Sequence, residues 1–178
     1  ENKNVTFNFF QNHTSAIAKK VRSGELDVGF GGYIDKEEFE FFPVLSEEMV
    51  LITPKGHELE SHKKVSIQEL RNYPLIGYDR ESWLGNYTKQ LYRRLAFQPN
   101  IVVECPDEHS IVALVSEDFG VALVPAIEEI NENRVNIHRF DDIELMHHTF
   151  MFWMRDRYQL PAVERFIKYM KQKASSLE

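Results

Sequence analysis

The stretch IAKKVRSGELDVGF, residues 17–30, decides the architecture, because it reads as an amphipathic helix, a glycine stop and a buried strand in immediate succession. Ile17, Ala18 and Val21 recur at helical spacing and leave Lys19, Lys20 and Arg22 for water, with Thr14 or Ser15 placed to cap the helix start. Gly24 follows the last turn, where a left-handed residue closes a helix, and Leu26, Val28 and Phe30 then alternate into a strand. The unit is helix, tight turn, strand.

Working outward, a second unit of the same kind lies near the middle of the chain. Ile111, Val112, Leu114 and Val115 form a helical stripe, Gly120 stops it, and Val121-Ala122-Leu123-Val124 runs as a strand to Pro125. Upstream of the first unit, Val5, Phe7 and Phe9 alternate as a strand should, and the acidic residues 35–40 read as a solvated loop. Met49-Val50-Leu51-Ile52 predicts a strand apolar on both faces, of the kind buried in parallel sheets. Ser66-Ile67-Gln68-Glu69 is a capping box opening a short helix. A strand at 75–78, a helix over 83–95 with Leu84, Leu91 and Leu95 inward, and a strand at 101–103 follow. Asp107 then caps a helix ending near Glu117, and strands at 135–140 and 149–154 come next. Pro161 opens a last amphipathic helix carrying Val163, Phe166, Ile167 and Met170 on one face. Alternating strands and helices make the fold α/β.

Composition narrows the function. A chain of 178 residues with 43% hydrophobic content buries one substantial core or two small ones. No apolar run approaches the length needed to cross a bilayer, and no secretory leader opens the sequence, so a soluble, cytoplasmic protein without a membrane partner is expected. The formal net charge of -7 and the lack of dense lysine and arginine clusters exclude a phosphate-gripping surface, so the chain itself is not expected to bind DNA. One cysteine, Cys105, permits neither an internal disulfide nor a multi-cysteine zinc site, and it reads as a small packed apolar residue. Neither a metal nor any other cofactor is expected. His57 and His62 lack a third ligand at recognisable spacing, and His147 and His148, adjacent on a strand, point to opposite faces. Glu47-Glu48 and Asp107-Glu108 read as surface charge, and no nucleophile elbow or Cys/His pair is present.

The segments GELDVGF, Pro54-Lys55-Gly56-His57-Glu58-Leu59, the capped Ser66 helix and DFGVALVP occur in an order that resembles the effector domain of LysR-type transcriptional regulators, over essentially the whole chain. The resemblance implies two Rossmann-like lobes joined by two crossover strands, as in type 2 periplasmic binding proteins. It places lobe I at 1–73 plus 154–178 and lobe II at 74–153, with crossovers near Tyr73 and Trp153 and the last helix returning to lobe I. Family domains begin with a further strand and helix before Val5, so the first lobe lacks its usual first strand and helix, and another chain is expected to cover the gap. The absence of an initial methionine and the Leu177-Glu178 ending, which reads as a cloning scar, lead to the expectation of a fragment. A winged helix-turn-helix domain upstream would then carry the DNA contacts of a homodimer or homotetramer.

The resemblance also implies a small-molecule effector in the interlobe cleft, where strand ends and helix starts offer amides to an anion. Three segments meet that description. His13, Thr14 and Ser15 stand at a helix start, where the other reading is simple capping. Tyr78, Arg80, Ser82 and Trp83 form a donor-rich, aromatic strand-to-helix connection, where the other reading is Arg80 paired with Asp79 or Glu81 and Trp83 packed under the helix. Residues 106–110 with Phe119 would supply a wall. Gly29-Phe30-Gly31-Gly32 lacks phosphate-loop spacing; Gly31 instead allows close approach of the backbone to ligand or hinge, or marks a plain turn. A carboxylated metabolite fits these helix starts better than a sugar. A transporter's solute-binding protein and an enzyme on the same two-lobed fold, with Cys105 or Arg80 as its reactive group, are the alternatives.

Overall fold

The computed structural model describes residues 5–128 and 130–174. The Leu177-Glu178 ending and the residues before Val5 lie outside them. The chain forms two compact units, Glu1–Ser46 with His148–Glu178, and Glu47–His147. The first division falls within the long strand β2 (Phe39–Pro54) and the second within β8 (Met146–Met154), the strand that also carries Trp153. A continuous extended strand carries the chain from one unit to the next, so no loop or turn residue marks the boundary.

In the first unit, α1 (Thr14–Ser23) packs on β1 (Gly29–Gly31), which pairs antiparallel with β8. Gly24 closes α1 in the left-handed conformation at φ 86°, and the Leu26 amide reaches back to the Lys20 carbonyl. Arg157 donates to the Val21 and Arg22 carbonyls at 2.7 and 2.6 Å, a cation placed where the helix dipole favours one. Ala18, Val21, Phe39 and Phe152 form the buried cluster of this unit, and α4 (Pro161–Ala174) buries Ile167.

Residues 5–10 do not form the expected strand. Alternation makes a strand only where a ladder partner exists, and none pairs with this segment among the described residues. Phe7 instead stacks on Phe9 at 6.2 Å and meets the edge of Phe166 at 5.6 Å, while Phe9 stays 93% exposed. The acidic loop is also shorter than expected, because Phe39 and Glu40 already belong to β2 and Phe39 is buried.

The second unit adds β3 (Lys64–Val65), a 3-10 turn (Ile67–Arg71), β4 (Leu75–Tyr78), α2 (Trp83–Arg94), β5 (Ile101–Cys105), α3 (Glu108–Ser116), β6 (Ala122–Pro125) and β7 (Val135–Phe140). Met49, Val50, Leu51 and Ile52 are fully buried, as their apolar run predicts, but β2 pairs antiparallel with both β6 and β7. Burial on both faces reports the layers above and below a strand, and says nothing of its direction. β4 and β5 pair in parallel, and Leu75 bridges Val121 in parallel beside them.

The capping box is half formed. Ser66 accepts from the Gln68 amide at 3.1 Å, yet Glu69 turns to Asn72, and Asp142 takes the Ile67 amide at 3.0 Å. Asp142, distant in sequence, accepts from the Ile67 amide and the Ser66 hydroxyl, while Glu69 is engaged by Asn72 and not by the Ser66 amide. His138, which the sequence did not single out, is buried between Thr53, 2.9 Å from its Nε2, and the His62 carbonyl, 2.5 Å from its Nδ1; burial lowers its pKa.

Candidate functional site

The candidate residues assemble from local rules within each unit. In the first, His13 is the N-cap of α1, but its side chain makes no capping bond, and neither Thr14 nor Ser15 occupies the cap position. Thr14 begins the helix, and its Oγ1 accepts from the Gly32 amide at 3.2 Å. Gly31 lies against the same side chain, since a Cβ there would stand 2.5 Å from Thr14 Oγ1. The structure therefore brings His13, Thr14 and Gly31 together, with Ser15 next to them on the exposed side of the helix start. The close approach at Gly31 is to Thr14.

In the second unit, the parallel pair β4 and β5 delivers two helix starts to one edge. Tyr78 and Cys105 are opposite one another at the strand ends, and the Asp79 amide donates to the Cys105 carbonyl at 2.8 Å. Ser82 caps α2, accepting from the Gly85 amide at 2.9 Å while its hydroxyl donates to the Asp79 carbonyl at 2.7 Å. Asp107 caps α3 as expected, accepting from the Ser110 amide at 2.9 Å, and this bond holds its carboxyl below the usual carboxylate range. Strand ends followed by helix starts are where open α/β sheets hold ligands.

Tyr78 is buried, and its hydroxyl donates to Glu108 Oε1 at 3.1 Å. Burial, reinforced by Glu108 and Glu47, raises its pKa far above that of a free phenol. Trp83 stacks on Tyr87 at 5.3 Å and lies 5.4 Å from the His147 ring. Arg80 pairs with Glu104 at 2.5 Å on a side chain 78% exposed, and not with Asp79 or Glu81. Phe119 stands apart, beyond the C-terminal end of α3 and 56% exposed, whereas Asp107 and Glu108 begin that helix. A nine-residue helix separates the two ends by about 13 Å.

Two acidic pairs that read as surface charge contribute to this edge. Glu47 meets His147 Nδ1 at 3.2 Å, both side chains being about one-seventh exposed, and Glu108 meets Tyr78. His148, facing the other way along β8, bonds Ser46 at 2.8 Å, as strand alternation requires. The signal for Glu47 and His147 was that same alternation, since each neighbours a residue of opposite facing. Burial, with Asp107 adding, raises the Cys105 thiol pKa, which disfavours the nucleophilic thiolate.

The LysR substrate binding domain model matches residues 1–175. The chain belongs to the LysR substrate-binding domain family. It is 23% identical over 171 residues to YybE, an uncharacterized HTH-type transcriptional regulator of Bacillus subtilis, a match covering 96% of this chain and 59% of YybE. The chain thus spans about three-fifths of the length of such LysR-family regulators. Among solved structures, the effector binding domain of QuiR in complex with shikimate superposes with a TM-score of 0.91 at 23% identity, covering 98% of this chain and 84% of that one. The regulatory domain of CcmR from Synechocystis, in complex with 2-PG, gives 0.80 at 15% identity, covering 90% and 79%. The LysR effector-domain fold is the fold of this chain, and the relatives are transcriptional regulators. No helix among the described residues is long and apolar enough to cross a membrane.

Proposed function

We propose that this LysR domain senses a small carboxylated metabolite and, by binding it, controls DNA binding by a winged helix-turn-helix segment of the full regulator. The residues proposed for effector contact are His13, Thr14, Ser15 and Gly31 around the start of α1 and Tyr78, Ser82 and Trp83 around the start of α2, each set argued within its own unit. Arg80 and Phe119 stand at the margin of this set. The observation that carries the reading is the start of α1. Of α1, α2 and α3, α1 alone has no side-chain cap, and its first turn, like that of α2, carries no acidic residue. A helix start left open by its own side chains suits a carboxylate.

The protein acts without catalysis, in a cytoplasmic homodimer or homotetramer. Ligand binding shifts the population of regulator conformations by as much as its affinity for them differs. Similarity to domains solved with shikimate and with 2-PG supports an effector of this size and charge.

The test is a thermal-shift screen of the 178-residue chain against a carboxylate panel that includes shikimate and 2-PG. A bound member raises the melting temperature by binding the folded state preferentially. The rise is expected to shrink in Thr14→Ala and Trp83→Ala at matched unfolding midpoints; a hit untouched by either substitution would place the effector elsewhere.

A further inference from the structure

We propose that His138 is a proton-sensitive latch, holding the segment 55–65 on the sheet of the second unit at neutral pH and releasing it in acid. The device involves none of the residues proposed for the effector and gives the domain a second input. His138 is 1% exposed within β7, and its ring ties together two other parts of the unit. The His62 carbonyl, in the loop that follows β2, lies 2.5 Å from Nδ1, and the Thr53 hydroxyl, on β2, lies 2.9 Å from Nε2.

A carbonyl only accepts, so Nδ1 carries the hydrogen and Nε2 is left to accept from Thr53. The ring is neutral with both nitrogens used. A second proton would arrive at Nε2 and end the donation from Thr53. The other acceptor within reach of that hydroxyl, the Pro54 carbonyl, stands at 3.4 Å and already takes the Asn136 side-chain amide at 2.8 Å.

No carboxylate pairs with His138 among the described residues. The loop's own acids are turned elsewhere, Glu58 to the Tyr73 hydroxyl at 2.6 Å and Glu60 to the Gly56 amide at 3.2 Å. The titratable groups that act on the ring are His57 and His62 of the loop, while β2 presents Thr53 and Leu51. On β3, Lys64 is exposed, and Arg139, next along β7, pairs with Glu48. Burial, opposed by the bond to the His62 carbonyl and aided by His57 and His62, lowers the pKa of His138 below the ordinary histidine value of about 6.5. The stability that the neutral ring supplies is therefore complete above about pH 6.5 and is lost as pH falls from there through the pKa of the folded state.

The segment is the part of the unit able to yield. β3 is two residues long at the edge of the sheet, and it meets β7 through the Arg139 amide on the Lys63 carbonyl and the Asp141 amide on the Val65 carbonyl, both at 3.1 Å. Opening gives up Leu59 and Val65 from a core in which Met49, Val50, Leu51 and Ile52 of β2 remain fully buried. Beyond β3, Asp142 accepts from the Ser66 hydroxyl and the Ile67 amide, which stops the opening there.

The test is hydrogen exchange read by mass spectrometry on the 178-residue chain at about pH 7.5 and about pH 5.5, corrected for intrinsic rates. Residues 55–65 are expected to lose protection about fivefold to tenfold relative to β6, the factor by which a released histidine of ordinary pKa favours the open form over that interval. His138→Asn, which keeps a donor for the His62 carbonyl and does not titrate, is expected to show no such change. Should that variant fail to fold, NMR titration of the native chain decides, with the His138 ring and the amides of 55–65 expected to share one midpoint below about 6.5. Unchanged protection at 55–65, an equal loss in β6, the same loss in His138→Asn, or a His138 midpoint at or above about 6.5 would each overturn the proposal.

Discussion

At the scale of single residues, the first unit turns on a contact between a glycine and a threonine distant in sequence. Thr14 Oγ1 accepts from the Gly32 amide, and Gly31 has no side chain because Thr14 occupies the space one would need. Gly31→Ala places a methyl group 2.5 Å from that oxygen, so Thr14 must leave its rotamer or the loop must move. The expected cost is about 1–3 kcal/mol, typical of overpacking, seen as a lower urea midpoint. Gly31→Ala combined with Thr14→Gly should recover most of the packing cost, which separates the clash from any effect on backbone freedom. Sequence reading had offered the glycine a ligand, a hinge or a plain turn; a partner at this separation is set only when the chain folds.

At the scale of elements, of the two helices that follow β4 and β5, α3 begins with the cap that the sequence announces and α2 with Ser82, which the sequence reading had assigned to the effector. Asp107 was legible because a capping residue stands between a strand and an apolar helical stripe, and it caps α3 through the Ser110 amide. Ser82 caps α2 through Gly85 and also anchors the preceding turn through the Asp79 carbonyl. Ser82→Ala is expected to destabilise the chain by about 1 kcal/mol, within the range for loss of a serine cap, and to do so in chemical denaturation without any ligand present. A drop in ligand affinity beyond that loss would be a separate, direct effect. The capping box at Ser66 shows where element-level reading stops. Spacing alone nominated Glu69 as the partner of the Ser66 amide, whereas Glu69 accepts from Asn72, and Asp142, arriving from beyond β7, accepts from the neighbouring Ile67 amide. The expected strand at residues 5–10 failed for a related reason, because periodicity describes faces and cannot provide a neighbour.

At the scale of the whole molecule, the two units differ in how much apolar surface they bury. The second gathers Met49, Val50, Leu51, Ile52, Leu75, Ile111, Val115 and Val124 into one core, while the first relies on Ala18, Val21, Phe39 and Phe152 with a row of exposed aromatics including Phe7 and Phe9. Local opening costs least where few apolar contacts are lost. Hydrogen exchange read by mass spectrometry is therefore expected to be faster in α1 and β1 than in β4, β6 and the apolar half of β2; equal protection throughout would contradict this. The sequence by itself determined the α/β class, the position of nearly every helix and strand, the glycine stop of α1 and the family, since these depend on periodicity, caps and motif order within short windows. Tertiary structure alone decided the antiparallel run of β2, the boundaries at Ser46 and His147, and the pairing of Glu47 with His147 and Glu108 with Tyr78. Those depend on which strands become neighbours, and a side chain's partner across a sheet is fixed by the folded chain's geometry and leaves no periodic trace along it.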